Sequence, residues 1–388
     1  MSGHVRFRRV SLLTMLLLLV AAACAPQLLP VPDTGTSTAP PATETPLPID
    51  APVVESPALV AIRMFDVNRG WGVSDKAILR TVDGGATWHD VSPSTTGYGY
   101  AVTTEFIDDT HGWVLIPNPD DFLSGILYRT VDGGLRWDQA PVPFGGGALQ
   151  FMDGKHGWMM ASLGAGAGSM AVAVYQSEDS GATWTKTYVN DPTQANAGDT
   201  LPLGGLKDGI APINMREAWI GGVIYQPGKI YLYKTSNSGG EWVEIPVTAP
   251  DGYQEAELET TGPVFTDSQT AYLPVHAASQ VGVMLIVYVS HDGGSSWKPS
   301  STFIPQGGSV DFVSPEVGFV WNGTDFYVTH DSAATWTITR PDVDFTDSFT
   351  GMDFVTDEIG FVLSDDGQRG PHIYITRDAG ATWNIVGS

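Results

Sequence analysis

The chain has 388 residues, of which 42% are hydrophobic and 16% charged. That balance excludes a disordered chain, and a net charge of −24 excludes the phosphate-neutralising surface that nucleic acid or an anionic bilayer requires. A single cysteine excludes a disulfide framework and any multi-cysteine metal site.

Residues 1–23 read as an export signal. Arg6, Arg8 and Arg9 precede an apolar run over 12–23, which is too short to cross a bilayer, where about 20 residues are needed. Basic, then apolar, then small residues is the order of a secretory leader. The run closes Val20-Ala21-Ala22-Ala23-Cys24, and Cys24 is the only cysteine. This resembles a bacterial lipobox, which implies cleavage before Cys24 and lipidation of its thiol. An ordinary Ala-x-Ala leader is the alternative. Arg8-Arg9 also resembles a twin-arginine signal, but the residues that follow fit Sec export better. A chain starting at Cys24 keeps 43 acids and 16 bases, a charge of −27. Residues 24–58 hold nine prolines and many threonines. Such a segment reads as an extended tether, able to span up to roughly 100 Å.

From residue 59 to 388 the chain repeats itself. The clearest unit is [Ser/Thr]-x-Asp-x-Gly-x-x-Trp, centred on Asp83 and Trp88, Asp132 and Trp137, Asp179 and Trp184, Asn237 and Trp242, Asp292 and Trp297, Asp331 and Trp336, and Asp378 and Trp383. The spacings are 49, 47, 58, 55, 39 and 47 residues. Upstream of each copy lies an apolar strand, a polar turn, then Gly or Ala with an aromatic: Phe65…Gly70-Trp71, Phe106…Gly112-Trp113, Phe151…Gly157-Trp158, Ile213…Ala218-Trp219, Phe265…Ala271-Tyr272, Phe312…Gly318-Phe319 and Phe354…Gly360-Phe361. The two elements hold eleven of the twelve Trp, leaving Trp321. The first unit predicts strands over 60–65, 70–74, 77–81 and 87–91. Seven units of four antiparallel strands predict an all-β chain, a seven-bladed β-propeller closing as a monomeric ring.

The eight-residue unit resembles the Asp box of the bacterial neuraminidase repeat. Its expected role is local: the Asp carboxylate accepts N–H bonds across its own turn, the Gly supplies positive φ, and the Trp packs on the next unit. Ala333, in place of Gly, predicts a strained or altered sixth turn. His111, His156, His291 and His330 sit in turns and read as structural. No catalytic, cofactor or metal signature is found. Sialidases, which carry Asp boxes, imply an Arg-Ile-Pro motif, which is absent, and an arginine triad, which no pattern among Arg63, Arg69, Arg216, Arg340 and Arg369 marks. A secreted glycoside hydrolase, sialidase-like or of the two-carboxylate xyloglucanase type, acting on polysaccharide or glycan, is the alternative function, although the xyloglucanase family joins two propellers.

Signal, lipid-type Cys24 and a single ring of Phe…Gly-Trp plus Asp-box units together resemble the photosystem II assembly and stability factor family. The resemblance implies an extracytoplasmic, membrane-tethered, non-catalytic propeller that binds a protein partner on the outer face of the cell membrane. It also implies a basic patch, for which a −27 chain has no evident counterpart.

Two regions carry the functional expectations. The long spacings place insertions near 191–208 and 253–262, expected to project from one rim and meet a partner, with Trp321 a second candidate. Aligning the first strands gives a column, Arg63, Glu105, Gln150, Ala211, Val264, Asp311 and Asp353, expected at the ring axis. Closure puts Arg63 between Glu105 and Asp353, either as an ion pair or as the site of an anionic ligand.

Cys24→Ser is expected to move the protein from the membrane to the soluble fraction. Retention of that variant on membranes after a high-salt wash would exclude a lipid anchor.

Overall fold

The computed structural model describes residues 49–93, 102–280, 282–367 and 370–387; Cys24 and the tether up to residue 48 lie outside them. The described strands form six antiparallel sheets. Four of them are four-stranded meanders, as in Ser309–Phe312, Gly318–Trp321, Phe326–Thr329 and Thr337–Thr339. A ten-stranded sheet contains two further meanders, bridged by the short strand Glu257–Glu259, which pairs with Val223 and with His276–Ala278. The first repeat has a fifth strand, because Val53–Val54 pairs with Trp88–Asp90 at its outer edge. Ile49 is buried in the same place, so the packed domain begins before the composition shift at residue 59.

The first repeat runs Leu59–Met64, Gly70–Ser74, Ile78–Thr81 and Trp88–Asp90, each end within a residue of the expected strands. In such a meander the first-to-second and third-to-fourth connections share one rim. The second-to-third connection and the link to the next repeat share the other. We call these the turn rim and the hairpin rim.

The turn rim is built the same way seven times. The Ser or Thr opening each eight-residue unit is buried, and its hydroxyl donates to the Asp or Asn side chain two residues on. The same oxygen accepts the N–H four residues on, as Gly85 N–H to Thr81 Oγ1 at 2.9 Å. The Asp or Asn side-chain oxygen accepts a further N–H, as Thr87 N–H to Asp83 Oδ1 at 2.8 Å and its counterparts at every copy. Each turn then donates an N–H to the neighbouring first-to-second turn at 2.8–3.0 Å. A buried Ser or Thr hydroxyl is therefore as much a part of the motif as the acid. Ala333 keeps the geometry: it adopts φ 60 and still donates to Thr329 Oγ1 at 2.9 Å. The sixth turn is not altered; its cost is the left-handed conformation in a residue with a Cβ.

Neighbouring repeats are joined by the Gly-aromatic element. Trp71 stacks on Phe106 of the next repeat, Trp113 on Phe151, Tyr272 on Phe312 and Phe319 on Phe354, with planes within 10° of parallel. The indole N–H groups of Trp71 and Trp158 bond carbonyls of the following repeat, at Asp108 and Asn214. The preceding Gly is required by the close approach of the first-strand Phe: a Cβ on Gly157 would lie 2.6 Å from the Phe151 ring.

The eight-residue unit's own Trp behaves differently from expectation. It packs on the preceding repeat, not the next: Trp137 donates to Val91 O at 2.7 Å and meets Trp71 edge-on, and Trp297 meets Trp219. Trp88, Trp242 and Trp383 are buried, whereas Trp137, Trp184, Trp297 and Trp336 are half-buried. The reason is position: the unit ends on the outer strand, where one face of the ring system meets solvent.

The ring closes at the seam between last and first repeats. Leu59, Met64, Leu79 and Trp88 share one core cluster with Phe361 and Leu363. Both insertions lie on the hairpin rim, but they are built into the body, with Leu201, Ala256 and Leu258 buried. Trp321 is also core, stacked on Phe349 and edge-on to Phe345, so it is withdrawn as a contact residue.

Trp113→Ala is expected to cost about 3–5 kcal/mol, as deletion of a fully buried aromatic does. The half-buried Trp137→Ala should lose roughly half as much, because less apolar area is at stake. Chemical denaturation of the two variants checks the order, and a reversed order would place the joint in the eight-residue unit.

Candidate functional site around the ring axis

The first strands of successive repeats lie side by side, with Leu59–Met64 against Phe349–Phe354, Thr103–Phe106 against Gly147–Phe151, and Ser309–Phe312 against Phe349–Phe354. This brings the column together. Arg63 Nη1 lies 3.0 Å from Asp353 Oδ1. Asp353 is buried, while the Arg63 side chain is 54% exposed, so the guanidinium is fastened at one end and open to the axis at the other. Arg63, Glu105 and Gln150 line a cavity of about 350 Å³ with Thr104, Ile62 and Phe106. Gln150, Ala211 and Val264 line a second cavity of about 450 Å³, which also holds Asp208.

The carboxylates in the column have a common job. Asp353 accepts the N–H of Met64, one position after Arg63 in the first repeat. Asp311 accepts the N–H of Phe354, one position after Asp353, at 2.6 Å. Glu105 accepts the N–H of Phe151, one position after Gln150. Each acid therefore reaches forward and satisfies a main-chain donor of the following repeat, which an inner strand next to an open axis leaves without a ladder partner. Gln150 lines a cavity with Pro212, the corresponding position of the following repeat, which has no N–H to offer. Arg63, Ala211 and Val264 supply no acceptor.

Burial acts on these groups more than their partners do. Burial pushes the Glu105 carboxyl up to about 8, against the Phe151 N–H and the Arg63 charge, which lower it. Burial and then the neighbouring Asp353 raise Asp311 to about 7. Asp353 is raised by burial, with Arg63 opposing. By surface area only Asp353 is fully buried, and Glu105 and Asp311 keep part of their surface on the axis; water there limits how far their displacement converts into stability.

On the turn rim the acids are held the other way. Asp292 is drawn down to about 2 by the hydroxyl and N–H of Ser296, and Asp153 to about 2 by the His156 side chain at 2.8 Å. His111 pairs likewise with Asp108 at 2.9 Å. These groups stabilise their own turns. Among the described residues, no group of three His, Cys, Asp or Glu side chains is placed to hold a metal.

Sequence reasoning missed Lys207, which is 2% exposed and has no acid partner among the described residues. Its Nζ donates to the carbonyls of Met170, Leu203, Gly204 and Gly205 at 2.9–3.3 Å and lies 5.4 Å from the Tyr231 ring centroid. Burial pulls it down to about 8. The ammonium ties the end of the first insertion to the third repeat. The sequence signal was faint: one lysine just after Leu203-Gly204-Gly205.

No protein-family model and no curated protein matches this chain. Solved structures do. One, YCF48 bound to a D1 peptide, matches with a TM-score of 0.54 and 18% identity over 85% of this chain and 94% of that one. The fold is a β-propeller. A GH74 xyloglucanase from Xanthomonas campestris matches the propeller with a TM-score of 0.59 at 13% identity, over 86% of this chain and 55% of its own length. A PL25 ulvan lyase matches with 0.52 at 10%, over 85% and 94%. At such identities the likeness is one of fold, shared by a peptide-bound protein and by polysaccharide-cleaving enzymes.

A carboxyl whose folded pKa lies above its unfolded value takes up a proton on folding. Its contribution to stability is then present below the unfolded value and falls as pH rises towards the folded one. For Glu105 that window runs from about 4.5 to about 8. Glu105→Gln keeps an oxygen for the Phe151 N–H and has no proton to lose. The variant should gain on the wild type by about 1–2 kcal/mol between pH 4 and pH 9, a value reduced from the full shift for the water at the axis. Parallel pH profiles in thermal melts would show that Glu105 is not held in apolar surroundings.

Proposed function

We propose that the chain is an exported, lipid-anchored, non-catalytic binding and assembly module: a seven-bladed propeller whose eight-residue units are Asp boxes, held on the outer face of the cell membrane by Cys24 and a proline-rich tether. The ten-stranded sheet counts as two blades in this reading, bridged by Glu257–Glu259. The observation that carries the non-catalytic part is the commitment of the axial acids. Asp353, Asp311 and Glu105 each hold a main-chain N–H of the next repeat, and Asp353 also holds Arg63. A glycosidase needs one carboxyl free to donate a proton and a second free to act as base or nucleophile across the sugar. The YCF48 likeness supports a peptide-binding role through fold alone, and the acidic composition argues for a partner unlike that of a basic-patched ring.

A glycan-cleaving function is the second reading, because one observation favours it. Glu105 lines a cavity, and burial raises its carboxyl to about 8, in the direction a general acid requires.

Two measurements separate these. The binding reading expects no release of reducing ends or unsaturated sugars from a panel of plant, algal and bacterial polysaccharides. It also expects site-specific photo-crosslinking in the native membrane to give the same partner band for wild type and Glu105→Gln. Polysaccharide cleavage by the wild type that disappears in Glu105→Gln would overturn the non-catalytic reading.

A further inference from the structure

On the hairpin rim three repeats differ from the others. The strand pairs Gly112–Asn118 with Asp121–Thr130, Gly157–Gly166 with Ser169–Ser177, and Ala271–Ser279 with Gly282–Ser290, in the second, third and fifth repeats, are long, whereas the first, fourth, sixth and seventh repeats have pairs of four to six residues. These hairpins and the two insertions make one continuous wall. Ser162 N–H bonds Gly146 O, and a side chain at Gly145 would strike the Phe122 carbonyl. Gly205 N–H bonds Gly168 O, Gly168 lies against the Tyr225 ring, and Gly228 N–H bonds Ala256 O. Glu257–Glu259 then pairs with His276–Ala278 of the fifth repeat.

The crest of that wall is apolar. Phe122 is 70% exposed, Leu123 51%, Tyr225 56%, Val283 41% and Leu203 39%. Large side chains so exposed on a rigid hairpin mark a contact surface, because no folding gain keeps them there. The charge beside them has one sign. Asp120, Asp121, Asp199, Asp251, Glu255 and Glu257 are exposed along the same segments. The lysines there are Lys229, paired with Glu244 at 3.1 Å, the exposed Lys186, whose Nζ donates to Gln194 of the first insertion at 3.2 Å, and the buried Lys207. The arginines of these repeats, Arg129, Arg136 and Arg216, lie on the turn rim. Apolar tips set among acids that outnumber the bases fit a partner that offers apolar side chains between cations, and they repel an anionic one.

From this we propose that the hairpin rim of the second to fifth repeats docks a basic polypeptide segment carrying apolar side chains. The proposal rests on the binding-module reading and gives that module its face and the chemistry of its partner. The tips of Phe122, Leu123 and Tyr225 enter between apolar side chains of the segment, and the acids set its orientation and speed its encounter.

The test uses the purified full chain and three fluorescent 16-residue peptides: Lys with Leu, Glu with Leu in the same pattern, and Lys with Ser. Fluorescence anisotropy should show the Lys/Leu peptide binding at least tenfold tighter than either of the others, with affinity falling as salt rises. The triple variant Phe122→Ser, Leu123→Ser, Tyr225→Ser should weaken it tenfold or more. Asp251→Asn with Glu255→Gln and Glu257→Gln should weaken it and flatten its salt dependence, and Arg129→Ser with Arg136→Ser on the other rim should leave it unchanged. These are surface positions, so unchanged melting temperatures certify the fold.

Equal binding of the Glu/Leu peptide, or binding indifferent to the rim variants, overturns the proposal. So does rim-dependent binding to phosphatidylcholine vesicles without peptide binding, which would make the rim a membrane face. Self-association abolished by the triple variant would make it a contact between two copies. If the peptide fails while crosslinking in the membrane still recovers a partner from another surface, this inference falls and the binding-module reading stands.

Discussion

A ring whose repeats are each built from consecutive strands has no strand that crosses from the last repeat to the first. The joints between repeats that follow one another are helped by the covalent chain, but the seam is not, and side chains must hold it. Asp353 does this from the last repeat by bonding both the Arg63 guanidinium and the Met64 N–H of the first. The apolar cluster of Leu59, Trp88, Phe361 and Leu363 closes the same seam further out. Charged hydrogen bonds of this kind are worth about 1.5–3 kcal/mol each when the partner would otherwise be left unmade. Because every inner strand depends on both neighbours, opening the seam would expose the axial face of all the repeats.

The same constraint explains why acids gather at a narrow axis in spite of their mutual repulsion. Inner strands have a ladder partner on one side only, and their unpaired N–H groups must be satisfied by something. A carboxylate reaching from the preceding repeat does so, and the arrangement is repeated at Glu105, Asp311 and Asp353. Burial then lifts their proton affinity, since a charged carboxylate is poorly solvated there. Raised carboxyls lining a cavity are thus produced by ring closure itself, and in this architecture they are weak evidence of catalysis.

Periodicity made much of this legible. The Asp and aromatic spacings located the strands to within about a residue, and aligning first strands put Arg63 and Asp353 in one column, where the structure has them 3.0 Å apart. What periodicity conveys is identity of environment, not direction. It could not say that Trp137 faces backward to Val91 while Trp113 faces forward to Phe151, because both lie at equivalent positions in every copy. It was silent on Lys207 and on the Glu257–Glu259 bridge, which belong to single repeats, and it mistook Trp321 for an exception when the Phe345 and Phe349 rings beside it supply its core.

That division bears on where function resides. Turn-rim and axial positions are tied to a neighbour that makes the same contact, so a change at one copy strains the next, and the seven turns remain nearly superimposable in their hydrogen bonds. The hairpin rim has no such obligation, because a second-to-third connection touches the axis nowhere and can lengthen without disturbing closure. Lengthening there, in the hairpins of the second, third and fifth repeats and in the two insertions, stitched by Lys207, Gly168 and the 257–259 strand, makes a broad rigid platform from pieces that were free to vary. The individuality of the molecule is therefore concentrated on one sector of one rim, and the recognition chemistry follows from which side chains that sector leaves exposed.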